Sequence, residues 1–563
     1  MSWKIIEKNR RLLSREEGFS PKRRGGKLTV CLVYPNRYAV GMSNLGFQSV
    51  HALLNEEPDI LCDRAFLPDA DDLREYRRSG TKLLSLESGE PLGSFDIIAF
   101  SVSFENDYLN IPVIFDLAGI PPLASERRPA HPLVMAGGAA LFLNPEPVAD
   151  FLDLVCVGEG EELLQSLLEL MRAEGIVERE SFLARAARLP GIYIPALYDV
   201  SYDGVRVAGR RAGHGAPEQV ARLMMADPDR RESVSGILTP DTEFSDMYLM
   251  EVSRGCPRGC RFCAAGFIYF PYRQRSLDEL KRQAVEGLAR RGKIGLVGAA
   301  VSDHRDIGEL CRFILEQGGK VSVSSLRIDR LDDGMIEVLK ASGHKTVALA
   351  PEGGSQRMRD LVRKNLTEEQ ILAACDLLIG HDILNLKLYF IIGLPTETMD
   401  DLEEMTALVG KIRERVIDAA RKNKRLGEII LSVNPFVPKP FTPFQWCGME
   451  DTASLEKKLK YLQQAVGKLS NVRLIAESPK DAYLQALLSR GDRRLSAFLL
   501  RSAELGSWKR AAREFDVDTD LLVYRNIPLD ETLPWDVIGS AGVDRLRREY
   551  LEAFPRREAV IVS

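Results

Sequence analysis

From residue 27 to about 176, short apolar and β-branched runs alternate with segments whose apolar residues recur every three to four positions. KLTVCLVYP, DILCDRAF, FDIIAFSVSF, PLVMAGG and LDLVCVGEG read as buried strands. GFQSVHALL, DADDLREYRR, NIPVIFDLAG, NPEPVADF and EELLQSLLELM read as the helical segments between and after them. Five strand-helix pairs in a row predict a doubly wound parallel sheet, whose ligands bind beyond the carboxyl ends of the strands. Those ends fall at 36–46, 101–106, 137–140 and 158–160.

The pattern lapses between about 189 and 245, where YIPALYDVSYDGVRVAG and a Gly/Pro/Asp-rich passage predict a small β element and a connector. A second alternation then runs through MYLMEVSRG, KIGLVGAA, KVSVSSLR, TVALAPEGG, NLKLYFIIGLP and EIILSVNPFVP. Capping-box patterns open two of its helices, Ser276 to Glu279 and Thr367 to Gln370. Six strand-helix units are too few for a closed eight-stranded barrel and predict a partial (β/α)6 TIM barrel with its functional face at the strand C-termini. Beyond residue 445 the pattern is mainly helical, with no catalytic constellation. The chain thus reads as α/β: an arm over 1–26, a Rossmann-like domain over 27–185, a β element and linker over 186–243, the partial barrel over 244–447 and a helical region over 448–563.

A chain of 563 residues exceeds what one core organises, which agrees with this division. A net charge of -5 argues against a strong non-specific nucleic-acid binder. The basic residues Lys8, Arg10, Arg11, Lys22, Arg23, Arg24 and Lys27 are expected on a solvated N-terminal arm. No apolar run reaches the length of a membrane span and the first residues lack a signal-peptide pattern, so no membrane partner and a cytoplasmic location are expected. Of nine cysteines, six are scattered singly in apolar surroundings (Cys31, Cys62, Cys156, Cys311, Cys375 and Cys447), which implies no disulfide framework.

The other three fall together in Arg254-Gly-Cys256-Pro-Arg-Gly-Cys260-Arg-Phe-Cys263, directly after the first strand of the second alternation. A cubane cluster is usually held by four thiolates, so three leave one iron open to a small molecule. Gly255 and Gly259 let the loop curl, Pro257 stiffens it, and Phe262 is placed to cover a cluster or a bound adenine. Structural zinc is the competing reading. It wants four ligands, yet no second cysteine pair or histidine follows in the loop, and His304 lies about two elements away.

CPRGCRFCAAG on the first strand-to-helix loop of a six-unit partial barrel resembles the radical S-adenosylmethionine superfamily, over roughly 248–444. The resemblance implies a [4Fe-4S] cluster on Cys256, Cys260 and Cys263, S-adenosylmethionine chelated to its free iron, an electron donor of flavodoxin or ferredoxin type, and a 5'-deoxyadenosyl radical acting on a substrate still to be named. It also implies roles at other strand ends. Gly298, Ala299 and Ala300 stand where the family usually has Gly-Gly-Glu near the cofactor's amino group. Ser325 and Arg327 follow the third strand, Glu352 and Lys364 are similar to groups that contact the ribose, amino group or carboxylate, and Gly393 and Asn434 resemble positions flanking adenine. The N-terminal sheet is similar to the cobalamin-binding domains of cobalamin-dependent radical enzymes, which would add cobalamin and methyl transfer. No D-x-H-x-x-G loop is present to supply a cobalt ligand. Two other readings stay open: a cobalamin-free enzyme that modifies RNA or protein, and a non-catalytic iron-sulfur or zinc scaffold.

Overall fold

The computed structural model describes residues 2–22, 25–213, 215–323, 326–539 and 542–554. In the N-terminal sheet, β1 (Leu28–Tyr34) lies between β2 (Ile60–Phe66) and β3 (Ile97–Ser101), followed by β4 (Leu133–Gly137) and β5 (Leu154–Cys156). These five strands are parallel, and β6 (Ile192–Tyr193) closes the edge antiparallel to β5. Val30, Leu32, Ile97 and Leu154 are buried on one face, Cys31, Val33, Ile98 and Val155 on the other. Burial on both faces is why these strands read as continuous apolar runs rather than alternating ones.

The basic N-terminal stretch departs from the solvated arm expected of it. Residues 3–13 form helix α1 (Trp3–Leu13), with Ile5 buried against the sheet's outer layer. Lys8 pairs with Asp69 at 2.9 Å, and the Ser2 amide donates to Thr81 at 2.8 Å. Arg23 and Arg24 lie outside the described residues.

The second unit has a parallel segment of β7 (Tyr248–Glu251), β8 (Lys293–Val297) and β9 (Lys320–Val323). A second segment holds β10 (Thr346–Glu352), β11 (Asn385–Ile392), β12 (Ile429–Pro435) and β13 (Val472–Ala476), also parallel. The six expected strands are present, and β13 extends the sheet by one beyond residue 447. Along β11 burial alternates: Leu386, Leu388, Phe390 and Ile392 face the surrounding helices, while Lys387, Tyr389 and Ile391 are half-buried on the opposite face. The inner surface of this partial barrel therefore keeps room that a closed barrel fills with side chains. Thr367 and Gln370 form the expected capping box; at Ser276 only the side-chain acceptor for the Glu279 amide is made.

The helical region after residue 477 wedges between the two α/β units. Asn144 donates to the carbonyls of Ser489 and Gly491 at 3.1 and 2.7 Å, and Arg493 reaches Glu146 at 3.0 Å. Glu105, buried beyond β3, meets Lys439 and Ser489 at 2.7 and 2.9 Å. No helix of the described residues is long and apolar enough to cross a membrane.

Candidate active site

The cysteine loop leaves β7 through Val252 and a short antiparallel pairing of Ser253–Arg254 with Arg273–Gln274. Gly255 has φ +80°, and a Cβ there would stand 2.6 Å from the Tyr269 carbonyl, so the turn into the loop requires glycine. The Cys263 amide donates to the Cys260 carbonyl at 3.1 Å. Cys256, Cys260 and Cys263 are partly exposed as residues, whereas the other six cysteines are buried. Burial pushes each of the three thiols up, Cys263 to about 11, and the neighbouring cysteines add to the rise at Cys260 and Cys263. Among the described residues no three His, Cys, Asp or Glu groups converge as ligands of a single ion. Three thiolates from one short loop leave one iron of a cubane without a protein ligand.

A buried ionic network fastens the base of this loop to the N-terminal sheet. Glu159, at the end of β5 where helix α2 (Gly160–Glu174) begins, accepts from Arg254 at 3.0 Å, from Arg273 at 2.9 and 2.7 Å, and from the Met225 amide at 2.9 Å. Arg254 also reaches Glu161 at 2.6 Å and Glu251 at 2.9 Å, and Arg275 meets Glu251 at 2.9 Å. Burial alone would raise the Glu159 carboxyl; the Arg273 hydrogen bonds and the Arg254 charge outweigh it and hold it below its ordinary value.

Two cavities flank the loop. One of about 670 Å³ opens between the units and is mostly apolar. From the first unit Ser101, Gly137 and Glu159 line it, and from the barrel Ser253, Gly255 and Gly298. A Cβ on Gly138 would lie 2.4 Å from the Val102 carbonyl, so glycine also sets the cavity floor. The second cavity, about 250 Å³, is polar and lies over Pro257 to Cys260, bordered by Arg258, Arg327, Arg363, Lys364 and Arg545.

These cavities sort the residues picked out from sequence. Gly298 and Ala299 line the large cavity. Cys260, Arg327 and Lys364 line the basic one, and Lys364 donates to Glu352 at 3.1 Å. Lys364 is thus turned to the cysteine loop, and Arg363 borders the same cavity while staying exposed. Phe262 packs into an apolar cluster with Met358, Phe436 and Phe444. Gly393 sits against Leu455 and Glu450, its amide donating to Glu397 at 2.7 Å, and Asn434 is exposed; neither borders these two cavities. Ser325 lies outside the described residues. Of the strand ends expected to face a ligand of the N-terminal sheet, Ser101 and Gly137 line the large cavity, while Asn36 donates to Asp107 at 2.7 Å.

Sequence reasoning missed Asp303, whose nearly inaccessible side chain accepts from Arg258 Nε at 3.1 Å and leaves Oδ2 without a hydrogen bond. It also missed helix α3 (Val543–Ala553), whose Glu549 takes Arg261 at 3.2 Å and pairs with Arg363. Only the alternation of charge along α3 hints at such pairing.

Residues 46–195 match the family of N-terminal domains of radical SAM proteins, and residues 250–409 match the radical SAM superfamily. An uncharacterised protein of Methanocaldococcus jannaschii is 32% identical over 84% of this chain and 90% of its own length. The chain therefore belongs to the radical S-adenosylmethionine superfamily and is an enzyme of that class, with a [4Fe-4S] cluster and S-adenosylmethionine as its cofactors. An anaerobic magnesium-protoporphyrin IX monomethyl ester cyclase of Rubrivivax gelatinosus is 26% identical over 52% of this chain and 51% of that protein. The solved cobalamin-dependent radical enzyme OxsB, with aqua-cobalamin and S-adenosylmethionine bound, aligns at 19% identity and a TM-score of 0.46 over 68% of this chain. This chain spans about half the length of both.

Proposed function

We propose that Cys256, Cys260 and Cys263 hold the [4Fe-4S] cluster and that the enzyme directs radical chemistry at a ligand in the large cavity between the two α/β units. The observation that carries this is the position of the cysteine loop, with its first turn at Gly255 bordering that cavity. When bound, the cluster supplies one electron to S-adenosylmethionine, whose carbon-sulfur bond breaks to give a 5'-deoxyadenosyl radical. Arg327 and Lys364 favour the carboxylate of the bound cofactor, and Glu352 fixes the Lys364 ammonium. The small side chains at Gly298 and Ala299 let backbone approach the cofactor from the cavity side. The apolar walls and the paired network of Arg254 exclude water from the reacting centre.

Cobalamin is the occupant we favour. The cavity lies beyond the carboxyl ends of a doubly wound sheet, where such sheets bind ligands. Apolar walls with a periphery of Ser43, Ser49, Ser101, Ser103 and Asn44 suit a large flat ring with amide substituents. The charged groups that reach it, Glu159, Glu161, Glu251 and Arg254, are paired among themselves or with Arg273 and Arg275, an arrangement that suits an uncharged ring better than a polyanion such as RNA.

Anaerobic reconstitution with iron and sulfide is expected to give about four irons per chain, and 5'-deoxyadenosine with dithionite and S-adenosylmethionine. The Cys256→Ala, Cys260→Ala, Cys263→Ala triple variant should do neither; nucleoside formation by that variant refutes the assignment. Hydroxocobalamin should co-elute with the protein in gel filtration. A protein that stays colourless leaves the cavity to substrate alone.

A further inference from the structure

We infer that the inner face of the partial barrel binds the carboxylate of an organic-acid substrate on Lys387, with Tyr389 beside it. This gives the radical chemistry proposed above a substrate class, and it rests on the reading of Cys256, Cys260 and Cys263 as cluster ligands. Leu386, Leu388 and Phe390 of β11 are buried toward the helices, which leaves Lys387, Tyr389 and Ile391 on the concave face. Lys387 is half-buried there, and its ammonium stands 4.8 Å from the centroid of the Tyr389 ring. Among the described residues neither side chain has a carboxylate or hydrogen-bond partner. By contrast Lys364, Lys439 and Lys458 each meet a carboxylate, at 3.1, 2.7 and 2.6 Å. A cation drawn partly out of water onto a ring face keeps its donors free for an anion.

The surface beside the pair carries no charge. Ala348 and Ile430 stand in register with Lys387, and Ser432 with Tyr389. Arg473, in register with Ile430, lies at the outer edge, exposed and paired with Glu428 at 2.9 Å. Toward the cofactor end, Glu352 is in register with Phe390, three residues beyond Lys387, or about 10 Å along the strand. Glu352 is already held by Lys364 and does not compete for the Lys387 ammonium. A molecule with its carboxylate on Lys387 therefore extends its carbon chain over uncharged surface toward the end that carries Glu352. Its route in is open from the domain boundary: Leu249, Gly295 and Ser322 form one row in register across the first segment, and all three line the large cavity. One ammonium with a phenol beside it matches the single charge of a carboxylate. A phosphate or an RNA backbone calls for more cations than this face offers.

Equilibrium dialysis of the anaerobically reconstituted protein with S-adenosylmethionine gives Kd for phenylbutyrate, phenylhexanoate and their primary amides. In the parent the acids should bind about tenfold more tightly than the amides. Lys387→Met keeps the chain without the charge, so it should abolish that preference and leave amide binding within about twofold of the parent. Lys387→Arg should retain the preference, and Tyr389→Phe should reduce it about threefold. Equal Kd values for acid and amide in the parent overturn the inference, as does a preference that survives in Lys387→Met. So does the absence of binding by either acid below about 10 mM, and so does inorganic phosphate that displaces the acids at lower concentration than they themselves bind. Failure of the cluster reading shows separately, as nucleoside formation by the triple cysteine variant, whereas the preference for acid over amide is read without turnover and judges Lys387 alone.

Discussion

Asp107 illustrates what one buried carboxyl does to the fold that holds it. Burial pushes it up to about 6, the Asn36 amide pulls it back, and Oδ2 has no hydrogen-bond partner. A carboxyl raised on folding stabilises the native state below its unfolded value near 3.8, and that contribution is lost as pH rises through about 6. Asp107→Asn still offers an acceptor to Asn36 and cannot ionise. In thermal melts it should match the parent near pH 4 and exceed it above pH 7, by at most about 3 kcal/mol. Sequence could pick out Cys256, Cys260 and Cys263 because their chemistry is written in local spacing. Asp303 and Asp107 carry no such mark, since what distinguishes them is burial beside groups from other elements.

Elements, rather than single residues, decide how the cysteine loop is held. The end of β5, the start of α2 and the residues after β7 are joined through Glu159, Glu161, Arg254 and Arg273. Glu159→Gln would take the carboxylate partner from buried Arg273, while Arg254 keeps Glu161 and Glu251, a loss of about 3 kcal/mol. Urea unfolding should show that loss, and the variant should release iron faster to a chelator than the parent does. Both sheets were legible in the chain because each strand carries its own apolar run. This network was not, since Glu159 lies 95 residues from Arg254 and 114 from Arg273. Helix α1 was misread for a related reason: its basic residues suggested solvent, and only packing reveals that Ile5 and Lys8 have partners.

At the scale of the whole molecule, helix α3 and the wedge before it join regions that are far apart in the chain. Glu549 pairs with Arg261 and Arg363, and Phe554 stacks near Phe444 with centroids 5.7 Å apart. A chain ending at Gly542 should still bind iron but lose its absorbance in air several-fold faster, followed in the visible spectrum beside the parent. The distance in sequence has a consequence for how the enzyme is made. Arg261, in the middle of the cysteine loop, waits for a carboxylate synthesised 288 residues later. Until that stretch leaves the ribosome, Arg261 and Arg363 lack the carboxylate of Glu549, so the cysteine loop gains its last ion pairs only when nearly the whole chain has been made.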